Sequence, residues 1–275
     1  MSDSARGYEV VVTRGGAHAV LDRASGEVMH PVVGPMIEAQ ALYVEPSRLH
    51  TRLSEYAPTP LVVFDVGLGA ASNAISAWHV SEALGPEARQ LSIVSFDTTV
   101  EALRLASTCE HAEAFGLAGA AQAAAQSLIA ERQHRTARTL WRLELANVPE
   151  CFLFEAEASV DIVYWDMFSR RTHPDLWTVG AFSSIRRLCR SGATLHTYSR
   201  ATATRSALLL AGFAVGIGVT TGEGKPTTLA AADVDDLRQP LDQRWLERLT
   251  RSSEPFAPDA PSDAFERIRS MPQFN

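Results

Sequence analysis

Acidic residues and glycines in the first half of the sequence have the types and spacing of a ligand site. Asp65 is followed by Gly67 and Gly69. Asp97 ends a second apolar run, residues 91–96. Glycines let a ligand approach bare backbone, and an acid at the end of a strand can accept hydrogen bonds from ribose hydroxyls. The pattern therefore predicts a site for a nucleoside-containing ligand.

The elements that position these residues are a strand, a tight turn and a helix. Residues 61–66 are apolar and rich in β-branched and aromatic types, and Pro60 and Gly67 bound them, which is typical of a buried parallel strand. From Ala70 onward good helix formers follow, and the helix N-terminus would point at the ligand. An ordinary strand-to-helix turn has the same local pattern, but the two acids favour a site.

The spacing also indicates which ligand is bound. Asp97 lies 28 residues after Gly69, farther than the roughly 20 residues expected for a compact nicotinamide site. Position 72 is serine, so the third glycine of the dinucleotide fingerprint is missing. We therefore expect a mononucleoside ligand such as S-adenosylmethionine rather than NAD.

A third acid, Asp166, follows the predicted strand 160–165. A carboxylate at this place can act as a general base towards a bound acceptor. A lone aspartate after a strand is commonly a helix N-cap. The surrounding motif Trp-Asp-x-Phe-Ser favours the catalytic role.

Four further side chains in this half of the chain are candidates for acceptor binding: Phe168, Trp177, Tyr198 and Ser199. The two aromatic residues Phe168 and Trp177 would flank the amine or stack on a base, and a place in the core is equally compatible with them. Tyr198 and Ser199 would line the acceptor pocket, with capping of the strand end as the alternative.

The N-terminal segment supplies two more candidates. Residues 8–13 and 18–22 predict a β-hairpin, and a helix is expected to begin near residue 37. Glu38 and Tyr43 could close over the methionine part of the cofactor. Local packing of this extension is the alternative, and it is slightly favoured.

Composition and charge narrow the function class. The sequence of 275 residues is 46% apolar and 21% charged, as in ordinary globular proteins. A net charge of −7 argues mildly against a general nucleic-acid binder. No apolar run approaches the ~20 residues that span a membrane. The three cysteines lack metal spacing. We expect no metal and a reducing, cytoplasmic location.

Strands and helices alternate along the chain and end in a strand pair with a short turn. This predicts an α/β fold with a mostly parallel, seven-stranded, Rossmann-like sheet, the plan of class I S-adenosylmethionine-dependent methyltransferases. We expect an N-terminal extension over residues 1–56, the methyltransferase domain over 57–232 and a C-terminal tail with short helices over 233–275. Residues 100–109, 112–135 and 174–189 are predicted helices, the second of them broken only at Gly116 and Gly119.

Several segments resemble one family. The corner from Asp65 to Trp78 is similar to an acid-x-Gly-x-Gly-x-x-x-Asn motif, with Asn73 as its asparagine. Residues 165–178 resemble the signature Asp-x-Phe-(Ser/Ala)-Pro…Asn-Pro-Glu-Leu-Trp-Thr, and residues 222–225 resemble a Gly-x-Gly-Lys turn ending in Lys225. Over roughly residues 8–250 the chain resembles the methyltransferase domain of the MnmC family of tRNA wobble-uridine modification enzymes, in its form without the FAD oxidase domain.

The resemblance implies S-adenosylmethionine as cofactor and N-methylation of a 5-aminomethyl group on the wobble uridine, which gives 5-methylaminomethyl(-2-thio)uridine. It places Asn73 in the cofactor corner and Lys225 on the substrate side. The chain departs from the family pattern at Arg170, His173 and Pro226. Asn147 replaces the family's aspartate and can still donate and accept hydrogen bonds at adenine.

Arginines cluster in the acceptor half of the sequence. If they share a face they could hold phosphates of tRNA, and solvated helix faces are an equally good explanation. They are Arg170, Arg171, Arg186, Arg187, Arg190, Arg200 and Arg205.

The leading hypothesis is a methyltransferase that acts on tRNA. One alternative is methylation of a small-molecule amine, and another is a binding protein that keeps the fold without catalysis. The sequence leaves open whether a separate partner supplies an oxidase step.

Overall fold

The computed structural model describes residues 7–13, 15–30, 33–220 and 225–275. The chain forms two compact units, Met1–Asn147 and Val148–Asn275, and each is described by itself. The predicted Gly-x-Gly part of the turn at 222–224 lies outside the described residues.

The first unit begins with a three-stranded antiparallel sheet. Its strands are β1 (Tyr8–Val12), β2 (His18–Asp22) and β3 (Glu27–Val28), in that order. The predicted hairpin is confirmed, with Tyr8 opposite Asp22. The helix α1 (Pro35–Ala39) follows and continues into a π-helical turn over Gln40–Val44.

The main strands of the first unit are parallel and buried. They are β4 (Leu61–Val66), β5 (Leu91–Asp97) and β7 (Thr139–Leu145), with β5 in the middle. A short strand, β6 (Gln133–Arg135), pairs antiparallel with β7. The helices of this unit after α1 are α2 (Leu49–Ser54), α3 (Ser72–Glu82), α4 (Glu101–Ala106) and α5 (Ala120–Glu131).

Two helix predictions in this unit were too long. The alanine-rich segment 112–135 becomes helical only at Ala120, because Gly116 and Gly119 adopt positive φ angles of 68° and 60°. It ends where Arg132 turns left-handed at φ 62°, and β6 follows. The helix predicted over 100–109 is only the six-residue α4.

The second unit has four strands of its own. The strands β8 (Val160–Trp165) and β9 (Cys189–Thr197) are parallel, and β11 (Pro226–Ala231) pairs antiparallel with both β9 and β10 (Ala214–Thr220). Outside the N-terminal sheet of β1 to β3, the described residues form eight strands, β4 to β11, one more than the seven predicted. The additional strand is the three-residue β6, hidden in the alanine-rich segment.

The helix predicted over 174–189 is interrupted. Pro174–Trp177 form a 3-10 turn, Thr178 is extended, and α6 covers Val179–Leu188. The Thr178 hydroxyl accepts a hydrogen bond from the Ala181 N–H, which caps α6. The strand β9 then begins at Cys189, which was predicted as the last residue of the helix.

The C-terminal tail is built into the second unit. After α7 (Thr202–Leu210) and the strands, it supplies α8 (Gln243–Thr250) and α9 (Ala264–Arg269), in agreement with the short helices predicted for the tail. The Gln273 side chain hydrogen-bonds both the N–H and the C=O of Val215 in β10, at 2.9 and 2.6 Å. None of the helices in the described part of the chain has the length and apolar character needed to cross a membrane.

Candidate functional site

The glycine turn after β4 folds back on the end of β5. The backbone N–H groups of Gly67 and Leu68 both donate to the Phe96 carbonyl, at 3.0 and 3.2 Å. Gly67 and Gly69 have φ angles of 97° and 52°, and Ala71 at φ 66° adopts the left-handed region without being glycine. Three left-handed residues within five turn the chain sharply into α3, and this is the tight turn that the sequence predicts.

Asp97 is bound to this turn by its carboxylate. Its Oδ2 accepts a hydrogen bond from the Gly69 N–H at 3.0 Å, and its Oδ1 accepts from the N–H groups of Thr98 and Thr99. Burial raises the pKa of Asp97, and these backbone N–H groups oppose the rise. These bonds fix the carboxylate at the glycine turn, and its contact with ribose hydroxyls stays a prediction.

Asp65 lies deeper than Asp97 and is 1% exposed. Its Oδ2 accepts a hydrogen bond from the Ser95 hydroxyl at 2.7 Å, and the Ser95 Oγ accepts from the Trp141 indole N–H at 3.0 Å. This chain of contacts joins β4, β5 and β7 behind the glycine turn. Asp65 therefore supports the turn, and direct contact with a cofactor stays a prediction.

The first turn of α3 presents polar groups to a ligand. Ser72, its first residue, is 2% exposed, and its Oγ has no hydrogen-bond partner among the described residues. Asn73 beside it is also buried. No side chain caps this helix, so its first N–H groups need another acceptor. The buried Ser72 hydroxyl and a helix N-terminus without a side-chain cap, both beside a glycine turn, fit a polar ligand such as the methionine end of S-adenosylmethionine.

The N-terminal extension reaches the glycines through two methionines. A Cβ added at Gly69 would lie 3.0 Å from the Met29 sulfur, and one at Gly116 would lie 2.8 Å from the Met36 methyl carbon. The Met36 sulfur is also 4.0 Å from the Ser76 hydroxyl in α3. A larger residue at either glycine would displace these side chains. No local sequence signal indicated these contacts.

Glu38 and Tyr43 of this extension are both buried. The Glu38 Oε1 accepts a hydrogen bond from the Val33 N–H at 2.9 Å, and its Oε2 lies 3.7 Å from the Nδ1 of His30. The Tyr43 side chain is fully buried in the π-helical turn. These contacts favour local packing of the extension, and closure of Glu38 and Tyr43 over a cofactor stays a prediction.

Tyr8 is a residue near the candidate site that the sequence did not single out. Burial raises the pKa of its phenol to about 12, and neighbouring carboxylates contribute to the rise. Those carboxylates belong to Asp97, Asp22 and Glu101. The phenol therefore lies in the field of the acid expected to bind ribose. Packing of β1 on α4 brings Tyr8 near Asp97, and no local sequence pattern predicts this proximity.

Asn147, the last residue of the first unit, is exposed. The N–H of the preceding Ala146 donates to the Asp97 carbonyl at 2.9 Å, so the chain here is attached to the end of β5. This leaves the Asn147 amide at the surface. Its contact with adenine stays a prediction.

In the second unit Asp166 follows β8 directly and is half-buried. No regular helix begins at Asp166, because the next element is the 3-10 turn at Pro174 and α6 is capped by Thr178. A second acid, Asp259 of the tail, accepts from the N–H groups at the start of α6 at 2.9 and 2.8 Å. Asp166 therefore has no helix to cap, and the structure does not support the alternative that Asp166 is a helix N-cap.

The aromatic candidates near Asp166 contact one another. Trp177 is 1% exposed, and its indole N–H donates to the Phe168 carbonyl at 2.9 Å. The Tyr198 hydroxyl donates to the Met167 carbonyl at 3.0 Å. The rings of Trp177 and Tyr198 meet edge to face at 5.8 Å, and Phe168 stacks on His173 at 5.6 Å. Trp177 is thus a core residue, whereas Phe168 and Tyr198 remain half-buried.

Ser199 and Lys225 differ in their surroundings. The Ser199 hydroxyl donates to the Thr204 Oγ1 at 3.1 Å, and its carbonyl accepts from the Thr228 hydroxyl at 2.6 Å. These bonds support the strand-end capping alternative for Ser199. Lys225 is exposed, at the border of the segment that is not described.

Most of the arginines proposed for phosphate contact bind groups of their own unit. Arg205 is 5% exposed and donates to the Thr227 carbonyl at 2.9 Å and the Thr228 hydroxyl at 3.0 Å. Burial lowers the pKa of Arg205 to about 10. Four others donate to nearby carbonyls or carboxylates: Arg170, Arg186, Arg187 and Arg190. Arg171 and Arg200 are exposed and stay candidates for phosphate.

Histidine, cysteine and acidic side chains do not gather into a metal site. Within the described ranges no three of them lie close enough to hold an ion. The three cysteines are free thiols, with Cys151 and Cys189 buried and Cys109 exposed.

A protein-family model matches part of this chain. Residues 119–233 match the model of a family described as S-adenosyl-L-methionine-dependent methyltransferases. Curated relatives are named tRNA 5-methylaminomethyl-2-thiouridine biosynthesis bifunctional protein MnmC. The protein of Ectopseudomonas mendocina is 28% identical over 71% of this chain and 30% of its own length. That of Pseudomonas putida is 26% identical over 88% of the chain and 36% of its own length. The chain thus spans about a third of these relatives.

Solved structures share the fold. The crystal structure of MNMC2 from Aquifex aeolicus has a TM-score of 0.73 at 20% identity, covering 96% of this chain and 84% of that one. Spermidine synthase from Thermotoga maritima has a TM-score of 0.52 at 12% identity, covering 96% and 81%. These likenesses confirm the predicted α/β class I methyltransferase fold with its N-terminal β extension.

Proposed function

We propose that this chain, an S-adenosylmethionine-dependent methyltransferase related to the methyltransferase domain of MnmC, methylates the 5-aminomethyl group of the tRNA wobble uridine. The product would be 5-methylaminomethyl(-2-thio)uridine. The observation that carries the amine as acceptor is Asp166, a half-buried carboxylate after β8 with no helix to cap. The names of the curated relatives support the nucleoside.

In the first unit, we assign cofactor binding to the glycine turn and the residues around it. When bound, S-adenosylmethionine supplies a methyl group activated by its sulfonium. Gly67 and Gly69 admit the ligand to the backbone, and Asp97 accepts hydrogen bonds from ribose hydroxyls. The Ser72 hydroxyl and the first N–H groups of α3 bind the carboxylate at the methionine end.

In the second unit, we assign the acceptor amine to Asp166. An aminomethyl group is mostly protonated at neutral pH and has no lone pair in that state. The Asp166 carboxylate orients the ammonium group and takes up its proton as the amine attacks. The half-buried Phe168 lies two residues away and offers a face for stacking on the base. We place this activity in the cytoplasm, in keeping with three free thiols.

A second candidate function is methylation of a small-molecule amine. The pairing of five arginines within their own unit favours it, because these guanidinium groups are already engaged and the phosphate-binding surface is smaller than the sequence suggests. Both functions use the same assignment for Asp166 and for the cofactor residues. They differ in the size and charge of the acceptor.

Two measurements test the proposal. Calorimetry with S-adenosylhomocysteine should detect binding with micromolar-range affinity, and absence of binding would contradict the cofactor assignment. Competition between undermethylated tRNA and small amines for labelled methyl groups should favour tRNA, with turnover falling steeply as salt rises. Transfer to small amines alone, independent of salt, would favour the second candidate.

A further inference from the structure

The segment that follows Asp166 is held by two side chains from other elements. The Tyr198 hydroxyl, just after β9, donates to the Met167 carbonyl at 3.0 Å. The Trp177 indole N–H, from the 3-10 turn, donates to the Phe168 carbonyl at 2.9 Å. These are the carbonyls of the next two residues after Asp166, so both peptide planes are fixed from the side.

The two donors are themselves packed together. The rings of Trp177 and Tyr198 meet edge to face with centroids 5.8 Å apart, and Trp177 also meets Phe182 of α6 at 6.3 Å. Trp177 is 1% exposed, so a base or an amine cannot reach its ring face without unpacking the core. The polar atom of each side chain is already bound to backbone. Trp177 therefore lacks the free surface that direct binding of substrate requires, and the half-buried Tyr198 has its hydroxyl engaged by the Met167 carbonyl.

We propose that Tyr198 and Trp177 are positioning residues that fix the orientation of Asp166 through the carbonyls of Met167 and Phe168. The proposal rests on the proposed function of Asp166 as the carboxylate that binds the acceptor amine. It replaces the predicted role of both aromatic residues in direct substrate contact. Proton transfer and amine alignment lose efficiency steeply when the carboxylate is misplaced by about 1 Å, so a fixed backbone at this point matters.

The kinetic test uses Tyr198→Phe, which removes the hydroxyl and keeps the ring packed on Trp177. We expect kcat with undermethylated tRNA to fall about tenfold, with KM and cofactor affinity unchanged. Tyr56→Phe is the matched control, since Tyr56 is 88% exposed in the first unit. It should leave kcat at the wild-type value.

A double-mutant cycle separates positioning from direct contact. If Tyr198 acts through Asp166, adding Tyr198→Phe to Asp166→Asn should lower kcat less than twofold further, because the group being positioned is gone. If Tyr198 touches the substrate itself, the same addition should cost the full tenfold. That second result would overturn the proposal.

Hydrogen exchange provides a test that needs no substrate. Backbone amides of residues 166–169 should exchange faster in Tyr198→Phe than in the wild-type protein, while Tyr56→Phe leaves them unchanged. Unaltered exchange in Tyr198→Phe would overturn the positioning role. Because no turnover is measured, this outcome is independent of whether the chain methylates tRNA, and a wild-type protein inactive on tRNA would instead contradict the proposed function. Trp177→Phe, with Trp245→Phe as control, extends the test to the second donor.

Discussion

The glycine turn of the first unit lies beside a buried hydroxyl that has no hydrogen-bond partner among the described residues, whereas Trp177 and Tyr198 of the second unit donate to backbone carbonyls. In the first unit the Ser72 hydroxyl has no hydrogen-bond partner among the described residues, and no side chain caps the start of α3 there. In the second unit Trp177, Tyr198 and Ser199 are all hydrogen-bonded within the fold. Unsatisfied buried groups indicate where a ligand binds, and satisfied ones indicate what holds the site in shape.

The largest effect is expected at Asp166. Asp166→Asn keeps the shape of the side chain but removes its charge and basicity, so kcat should fall by on the order of 10²–10⁴ with cofactor affinity unchanged. Single-turnover transfer of labelled methyl groups measures this. Asp175→Asn, in an exposed residue of the same loop region, is the control. Near-normal turnover in a folded Asp166→Asn protein would mean that the acceptor is activated elsewhere.

The next effect concerns Asp97. Asp97→Ala should weaken binding of S-adenosylhomocysteine by about 1–3 kcal/mol, because a charged hydrogen-bond acceptor for ribose is lost. Calorimetry measures the change, and Asp97→Asn, which keeps an acceptor oxygen, should lose less. Equal affinity in wild type and Asp97→Ala would restrict Asp97 to its bonds with Gly69, Thr98 and Thr99.

A substitution at Ser72 tests whether its hydroxyl, which has no partner among the described residues, binds the cofactor. Ser72→Ala should weaken cofactor binding by about 1 kcal/mol, and the free energy of unfolding should stay the same or rise, since no partner is lost and alanine favours helix. Ser81→Ala in the same helix is the matched control. The Ser81 Oγ accepts from the Thr139 hydroxyl at 3.0 Å, so its loss should lower stability by about 1 kcal/mol and leave binding intact. Reversal of this pattern would refute the ligand role of Ser72.

The smallest effect concerns the surface arginines. Arg171→Ala should reduce the salt dependence of tRNA binding by about one phosphate contact, at little cost in stability. Arg187→Ala should instead lower the stability and leave the salt dependence of tRNA binding unchanged. The reason is that the Arg187 guanidinium donates to the Phe152 carbonyl at 2.7 Å and pairs with Glu157. Filter binding across a salt series and thermal unfolding measure the two quantities. A stability loss in Arg171→Ala with unchanged tRNA binding would exclude it from the interface.

The features that depend on neighbouring residues in the chain could be predicted from the sequence. Local patterns located β4, the glycine turn and the acids Asp97 and Asp166, because strands, turns and their terminal residues depend on neighbours in the chain. The breaks at Gly116 and Gly119 were predicted, but the helix was drawn too long on both sides because alanine propensity does not reveal that it begins only at Ala120 and ends at Glu131. The extent of the three domains, 1–56, 57–232 and 233–275, stays a prediction.

Contacts between segments that are distant in the sequence could not be predicted from local sequence patterns. Tyr8 lies near Asp97, and Met29 lies against Gly69, only because the N-terminal sheet packs on this part of the first unit. The hydrogen-bond partners of the arginines could not be predicted either, since an arginine that binds a buried carbonyl has the same sequence signature as one that faces solvent. Arg205 is the clearest example, with 5% exposure and two bonds to β11.

Nucleoside analysis of tRNA after a single turnover tests the central claim most directly. Undermethylated tRNA carrying 5-aminomethyl(-2-thio)uridine would be incubated with the protein and S-adenosylmethionine, digested, and its nucleosides identified by mass spectrometry. We predict conversion of the wobble nucleoside to its 5-methylaminomethyl form, and its absence in the Asp166→Asn reaction. An unmodified wobble nucleoside, in the presence of a protein that binds the cofactor, would contradict the account.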